Sequence, residues 1–245
     1  MRKGIKILGK LVSTIVLLLI FLPIVITLVL NVESVQNAVV RQASHYASAY
    51  LGTDVYVDGI DFDLFSKVRV RGLYVEDYNQ DTLLYVAHAT ANIDGWNIAK
   101  DGLKLSNTKM YGTKFYLREL PSGEMNIRPI VEQLQRSEGG GDFKLFVEDI
   151  DAEELSFCLE KLECRNPEYG IDFRDLYLDD IAIHITDFAV ARGTVWMNIE
   201  HMSAVEQSGF ELSKLASYLY VDQGELAFDG LSIAWSVIEY ISKLD

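Results

Sequence analysis

The chain has four histidines, a residue type that can bind metal ions or transfer protons. They are His45, His88, His184 and His201. None of them stands with an aspartate, glutamate or cysteine at the spacing that metal ligands usually have. We therefore interpret the histidines as ordinary surface or strand residues, and we predict that the chain holds no metal ion.

Two pairs of aspartates offer the other candidate chemistry, either acid–base catalysis or calcium binding. The pairs are Asp61 with Asp63 and Asp179 with Asp180. Both pairs lie beside alternating apolar residues, a position that is typical of turns and of the solvated face of strands. The sequence also has no nucleophile elbow, phosphate-binding loop or dinucleotide fingerprint. We expect no enzymatic activity and no cofactor.

The two cysteines, Cys158 and Cys164, allow two interpretations. Their separation of six residues would let them form a disulfide across a tight hairpin, if the domain lies in an oxidising compartment. Alternatively, they are two small apolar side chains that do not meet. Two cysteines do not make a disulfide scaffold or a zinc site, so neither interpretation carries a function.

The N-terminal segment Leu11–Leu30 contains 20 residues without a charge. At ~1.5 Å rise per residue, a helix of this length matches the ~30 Å hydrocarbon core of a bilayer. No small-x-small cleavage site directly follows it, which argues against a cleavable signal peptide. Four bases precede it and place the N-terminus in the cytoplasm by the positive-inside bias. We therefore predict a basic tip and transmembrane signal anchor over residues 1–31, with the bulk of the chain outside the cytoplasm.

The formal charge of −14 is unevenly distributed along the chain. Before Glu33 the only charged residues are four bases, so residues 31–245 carry the other 18 bases and all 36 acids, a net charge of −18. Such a surface repels phosphate backbones, and no cluster of lysines and arginines interleaved with aromatics offsets it. We expect no nucleic-acid partner.

Hydrophobic periodicity divides the chain after the anchor into a helix and a strand region. Apolar residues at offsets of three and four predict an amphipathic helix over residues 32–52, with Ser34 as its N-cap and Gly52 as its end. We expect this helix to pack on the first strands, because its polar face has too few bases for a membrane-surface helix. From Asp54 onward the period is two, which is typical of strands.

A glycine-rich segment at residues 137–142 is the clearest internal boundary of the strand region. We predict a flexible linker there. It separates a first β segment at 53–136 from a second, truncated β segment at 143–245. The first segment ends in a short helix that is predicted to begin near Pro129.

One local pattern recurs in the strand region: apolar, x, apolar, two turn-prone residues, apolar, x, apolar. It occurs as VRVRGLYV (68–75), LKLSNTKM (103–110), FRDLYLDDIAI (173–183), MNIEHMSA (197–204) and LAFDGLSI (226–233). If the central pair forms a two-residue turn, the flanking residues pair across a hairpin and the four apolar positions share one face. If the central pair is a bulge in a continuous strand, the extra residue restores the phase with the same result. Both interpretations predict a sheet with one apolar face, which a second sheet, barrel closure or a bound ligand must cover.

Several weak motifs follow one another in a characteristic order. A basic N-terminus and an apolar anchor precede a helix ending in LGT, the strand VYVDGIDFDLF, the phrase VRGLYVED and the run DTLLYVAHATANID. Further along stands SGFELSKLASYLYVDQGELAFDGLSI. In this order the motifs resemble the AsmA-like family, especially its TamB branch, the translocation and assembly module proteins of diderm bacteria. The resemblance extends over about residues 5–235.

The resemblance implies a mainly β protein with a single inner-membrane helix, a cytoplasmic N-terminus and a periplasmic bulk. After the short amphipathic helix, an antiparallel β-sheet would curl into an open half-pipe, the β-groove. Family members are usually far longer and end in a C-terminal domain that meets an outer-membrane assembly protein. That domain is absent here, so we interpret the chain as a truncated or split product. The predicted groove residues are Val68, Val70, Leu73, Val75, Leu103, Leu105, Leu176, Leu178, Ile181, Ile183, Ile185, Leu226, Phe228, Leu231 and Ile233.

Three functions are compatible with these expectations. The leading hypothesis is lipid handling, in which the apolar groove carries phospholipid between the inner and outer membranes. The alternative is a scaffold or chaperone that assembles outer-membrane proteins by pairing its sheet edge with client strands. A third, hydrolysis of envelope polymers, rests only on the acidic pairs. Lipid that co-purifies with the protein would separate the first function from the second.

Overall fold

The computed structural model is mainly β and contains one open sheet. It describes residues 32–63, 66–94, 102–136, 144–162, 170–191, 194–222 and 225–237, together with Phe21, Ile26, Leu28 and Val29. Within these residues, nine strands lie side by side in chain order, and the first strand does not pair with the last. The prediction of a strand-rich chain with an open sheet is confirmed.

The strands become longer towards the middle of the sheet. In chain order the elements are α1 (Glu33–Leu51), β1 (Val55–Phe62), β2 (Lys67–Glu76), β3 (Thr82–Ile93), β4 (Leu103–Arg118), α2 (Arg128–Arg136), β5 (Lys144–Glu160), β6 (Asp175–Ala191), β7 (Thr194–Glu206), β8 (Phe210–Asp222) and β9 (Glu225–Val237). The strands β4 to β6 have 16 or 17 residues. At about 3.3 Å per residue, the middle of the sheet is therefore roughly 50 Å long.

One pair of neighbouring strands departs from the predicted antiparallel sheet. β4 and β5 are parallel, whereas all other neighbours are antiparallel. The prediction of a purely antiparallel sheet is therefore wrong. The cause is the long connection at residues 119–143, which includes α2. Parallel neighbours require a crossover of a dozen or more residues, usually with a helix, and this crossover joins the two predicted β segments in one sheet.

The central residue pairs of the sequence repeat lie within continuous strands, and in four of the five repeats one residue of the pair has a left-handed φ. Gly72 in β2, Asn107 in β4, Asp180 in β6 and Gly230 in β9 have φ values between +48° and +64°. Each strand continues past its positive-φ residue. The hairpin interpretation of the repeat is therefore wrong. A register shift at the central pair supports the bulge interpretation in β4, β6 and β9, whereas the register passes Gly72 of β2 without a shift. Glycine, asparagine and aspartate occupy these positions because they tolerate left-handed φ better than other residues.

The helix α1 lies along the edge strand β1 and also contacts α2. Its C-terminal end agrees with the sequence prediction, since Gly52 has φ +71° and its amide donates to the Ser48 carbonyl at 2.8 Å. Its start does not agree. The helix begins at Glu33, and the extended Val32 precedes it without a side-chain cap, so Ser34 lies inside the first turn.

A buried pair of polar side chains fixes the crossover at the start of α2. The amide of Asn126 donates to the carboxylate of Asp77 at 3.0 Å, and both side chains are almost fully buried. Asn126 also accepts a hydrogen bond from the backbone amide of Arg118 at 3.0 Å, near the end of β4. Asp77 in turn accepts the amides of Asn79 and Asp81, in the turn between β2 and β3. Because buried polar groups are stable only when bonded, this network ties the crossover to the turn.

Several sequence predictions fall largely or wholly outside the described residues. The segment Leu11–Leu30 is described at only four positions, and both the linker at 137–142 and Cys164 lie outside. Cys158 is half-buried in β5. Within the described part of the chain, no helix is both long enough and apolar enough to span a bilayer. The anchor, the linker and the disulfide stay predictions.

Candidate functional site: the apolar face of the sheet

One ladder of directly paired residues crosses all nine strands and contains only apolar side chains. In strand order it consists of Ile60, Val70, Ala89, Met110, Ala152, Ile183, Met202, Leu215 and Ile233. Directly opposite residues of neighbouring strands project from the same side of a sheet. These nine side chains therefore form a continuous band, the apolar stripe, from one edge of the sheet to the other.

The adjacent ladder is polar in every strand that it crosses. It consists of Asp61, Arg69, Thr90, Lys109, Asp151, His184 and His201. Each of these residues is the sequence neighbour of a member of the apolar stripe, and successive side chains of a strand point to opposite faces. Along these two ladders, one face of the sheet is apolar and the other is polar.

The register brings the predicted groove residues together with apolar residues from neighbouring strands. Fourteen of the fifteen pair directly with at least one apolar residue. Val75 opposite Val55 and Leu103 opposite Leu145 are two examples. The exception, Leu231, directly follows the Gly230 bulge and has no directly opposite residue in the register.

The bulges keep the apolar face continuous along each strand. A buried cluster in the middle of the sheet is centred on Val147, Ile150 and Ala152. Ile185 and Phe188 of β6 both pack against this cluster, although they are three residues apart. In a regular strand such positions would point to opposite faces. The bulge at Asp187, with φ +52°, supplies the extra residue that restores the phase.

The two helices cover the apolar face at its β1 side. Ala47 and Leu51 of α1 and Ile130 of α2 pack in one cluster with Val55 and Val75. Both valines are almost fully buried, at 3% and 5% exposed. The backbone amide of Val55 also donates to the Ser48 hydroxyl at 2.9 Å, which aligns α1 with β1. This side of the apolar face is consequently closed to solvent.

The first acidic pair is engaged with arginines on the polar face. Asp63 lies 2.9 Å from Arg69, and Asp61 lies 3.4 Å from Arg71. Asp61 also accepts a hydrogen bond from the Gln36 amide of α1 at 2.9 Å. The two carboxylates thus each pair with a base and do not converge on a common position. Exposed pairs of this kind contribute little to stability, and their arrangement is that of an ordinary solvated strand face.

Two of the other titratable candidates, Asp179 and His184, have local partners on the polar face. Asp179 accepts a hydrogen bond from Ser156 at 2.7 Å, and His184 lies 2.7 Å from Asp151. A hydrogen bond from the Tyr111 hydroxyl to the Glu154 carboxylate raises the pKa of Tyr111. Among the described residues, no group of three or more histidine, cysteine, aspartate or glutamate side chains could hold a metal ion.

Two threonines interrupt the apolar face. Thr108 lies opposite Ile150, and Thr113 lies opposite Val86. Their side chains are 7% and 5% exposed, and neither hydroxyl has a hydrogen-bond partner within the described part of the chain. Thr108 occupies an apolar position of the sequence repeat. A buried hydroxyl without a partner is costly, so these two groups are weak points of the packing.

Sequence reasoning left the apolar residues of β1, β3, β5, β7 and β8 out of the predicted site. In β5 the positive-φ residue is Glu154, with φ +53°, which is not a residue type that predicts a bulge. A usable signal was the alternating spacing of two and three between apolar residues. In β5 this series is Leu145, Val147, Ile150, Ala152, Leu155 and Phe157.

Comparison with known proteins adds no relative to this description. No family model and no curated protein matches the chain. The resemblance to the AsmA-like family therefore rests on the sequence motifs alone. A functional conclusion has to come from the chemistry of the apolar face.

Proposed function

We propose that this chain is an inner-membrane-anchored periplasmic protein that binds phospholipid along the apolar face of its sheet. In this proposal it is part of a TamB/AsmA-like system that carries phospholipid between the inner and outer membranes. The observation that supports it is the apolar stripe, which crosses nine strands and lies beside a wholly polar ladder in the first seven. A long apolar band suits an acyl chain, because the acyl chain needs shielding from water and no hydrogen-bond partner.

The free energy available from such a surface is large enough for lipid binding. Each buried methylene contributes ~0.8 kcal/mol. An acyl chain of ordinary length therefore gains on the order of 10 kcal/mol before the costs of association are subtracted. The binding needs no catalytic group. The polar face and the charge of −14 keep the rest of the molecule in water.

The competing function is a scaffold for outer-membrane protein assembly. It would use an edge of the sheet, where backbone groups can pair with a client strand, and not the face. Ile183 separates the two functions, because β6 is the sixth of nine strands and lies away from both edges. A lipid-binding face predicts lipid contact at Ile183, whereas a strand-pairing edge predicts none.

Photo-crosslinking in cells tests the proposal. A photoreactive residue at Ile183, on the apolar stripe, should capture phospholipid. The same residue at His184, one position further and on the polar ladder, should not capture it. The Ile183→Asp substitution places a charge in the path of the acyl chain at a cost of a few kcal/mol. It should reduce capture by a photoreactive residue at Met202, the next stripe position along the sheet.

The outcomes of this experiment are distinguishable. Equal lipid capture at Ile183 and His184 would contradict a one-sided binding face. Absence of lipid at Ile183 in a protein with a native β-sheet circular dichroism spectrum would remove the lipid-binding function. Crosslinks to outer-membrane proteins from edge positions alone would favour the scaffold function.

A further inference from the structure

Within the part of the chain that the structure describes, the strand β9 forms an uncovered edge of the sheet. Among the described strands it pairs only with β8. Its apolar side chains Phe228, Leu231, Ile233 and Trp235 are 43% to 61% exposed. Edge strands are usually protected by lysine, proline or an overlying helix. Residues 225–237 contain no lysine and no proline. The helices α1 and α2 contact the sheet near its other edge, at β1.

The apolar pattern of β9 is the same in both directions. Leu226 and Phe228 precede the pair Asp229–Gly230, and Leu231 and Ile233 follow it. If a second copy of β9 ran antiparallel to the first about the midpoint of that pair, apolar positions would meet only apolar positions. Phe228 would stand opposite Leu231 of the second copy, and Leu226 opposite Ile233 of the second copy. A strand with this symmetry is complementary to itself.

The molecule already contains one pairing of this kind, between β1 and β2. There Val57-Asp58-Gly59-Ile60 runs antiparallel to Val70-Arg71-Gly72-Leu73, with Val57 opposite Leu73 and Ile60 opposite Val70. The register continues through the two glycine-containing pairs without a shift. Phe228-Asp229-Gly230-Leu231 has the same arrangement of apolar, acidic, glycine and apolar residues as the β1 segment. Two such segments can therefore pair antiparallel with each glycine opposite the charged residue of the other strand, although in β1/β2 only Gly72 has a left-handed φ.

We propose that β9 pairs antiparallel with β9 of a second copy of this chain, centred between Asp229 and Gly230. The pairing would continue the apolar face across both molecules. The apolar stripe ends at Ile233, which would meet Leu226 of the second copy. Leu226 itself ends a second apolar ladder, which consists of Leu103, Leu145, Val190, Val195, Val221 and Leu226. Eighteen strands would then form one sheet, roughly 85 Å across at ~4.8 Å per strand.

One electrostatic difference separates this dimer from the β1/β2 pairing. In β1/β2 the two residues that stand opposite the glycines are Asp58 and Arg71, which have opposite charges. In the dimer, both positions are occupied by Asp229, one from each copy. Like charges at neighbouring cross-strand positions destabilise a pair, so the dimer is weak at low ionic strength and salt strengthens it.

A cysteine-crosslinking experiment tests the register. Two tagged copies of the full-length chain, purified in detergent and with Cys158 and Cys164 replaced by serine, carry Ala227→Cys in one copy and Ser232→Cys in the other. The proposed centre places these two positions opposite each other, so oxidation should give a mixed dimer. Ala227→Cys with Ala234→Cys is the matched control, shifted by two residues, and should give little product. Equal crosslinking of the two combinations, or of neither, would overturn the proposal.

A charge reversal tests the centre of the interface. In a mixed dimer of the wild type and Asp229→Arg, one copy supplies an aspartate and the other an arginine at the centre of the interface. This is the charge arrangement of Asp58 and Arg71 in the β1/β2 pairing. The mixture should contain several times more dimer, by sedimentation velocity, than either protein alone at the same total concentration. Dimerisation that is equal in all three samples would show that the second copy binds elsewhere. A monomer in all three would exclude the homodimer and leave the β9 edge to a different protein.

Discussion

The two ends of the sheet carry the same sequence pattern in opposite environments. At the β1 end, Val55 and Val75 lie beneath α1 and α2 and are almost fully buried. At the β9 end, Ile233 occupies the repeat position that Val75 occupies in β2, and it is 43% exposed. The repeat therefore determines which face a side chain occupies, and it does not determine whether that side chain is buried. Burial depends on the helices, which belong to other parts of the chain.

The largest expected effect on stability comes from a single aspartate substitution at an apolar position, compared between the β1 end and the β9 end of the sheet. We expect Val75→Asp to lower the free energy of unfolding by more than about 4 kcal/mol, because it buries an unpaired carboxylate beneath the helices. Ile233→Asp should lower it by less than about 1 kcal/mol, since the carboxylate can reach solvent at the open edge. Urea denaturation followed by circular dichroism, at a concentration where the protein is monomeric, measures both. Similar losses in the two variants would show that the ends do not differ in burial.

A smaller difference in stability is expected between alanine variants of two glycines at the same position of the repeat. Gly72 and Gly230 have nearly the same conformation, with φ +59° and +64°. A Cβ atom at Gly72 would overlap the carboxylate of Asp58. At Gly230, apart from the two chain neighbours, no heavy atom of the described residues lies within 4 Å of such a Cβ.

We expect Gly230→Ala to cost about 1 kcal/mol, which is the penalty for an L-residue with left-handed φ. Gly72→Ala should cost roughly 2 to 3 kcal/mol, because the steric overlap adds to that penalty. The same denaturation experiment compares them. If Gly230→Ala proved the more costly, the open space around the β9 bulge would be contradicted.

The smallest expected effect concerns Thr113, one of the two threonines on the apolar face of the sheet. Thr113 is buried and its hydroxyl has no partner within the described residues. Thr113→Val should therefore raise the free energy of unfolding by about 1 kcal/mol. Thr90→Val is the control, because Thr90 lies on the polar ladder and its replacement should change stability by less than about 0.5 kcal/mol. A loss of stability in Thr113→Val would indicate that the hydroxyl is bonded in the folded protein.

Much of the candidate site was predictable from local sequence. The repeat selected residues of β2, β4, β6 and β9, and most of them lie opposite apolar residues of neighbouring strands, because a two-residue irregularity preserves the phase of alternation. The contributions of β1, β3, β5, β7 and β8 were harder to predict. In β5 the bulge residue is Glu154, whose type gives no indication of left-handed φ.

The sequence by itself determined the period of each segment, and with it the strand-rich class, the one apolar face and the end of α1 at Gly52. These properties depend on residues within a few positions of one another. The tertiary structure decided between bulge and hairpin, because both place the same residues on one face. It also decided the parallel pairing of β4 with β5 and the burial of the β1 end. Both depend on the crossover through α2, whose contacts with β1 and α1 join residues more than seventy positions apart.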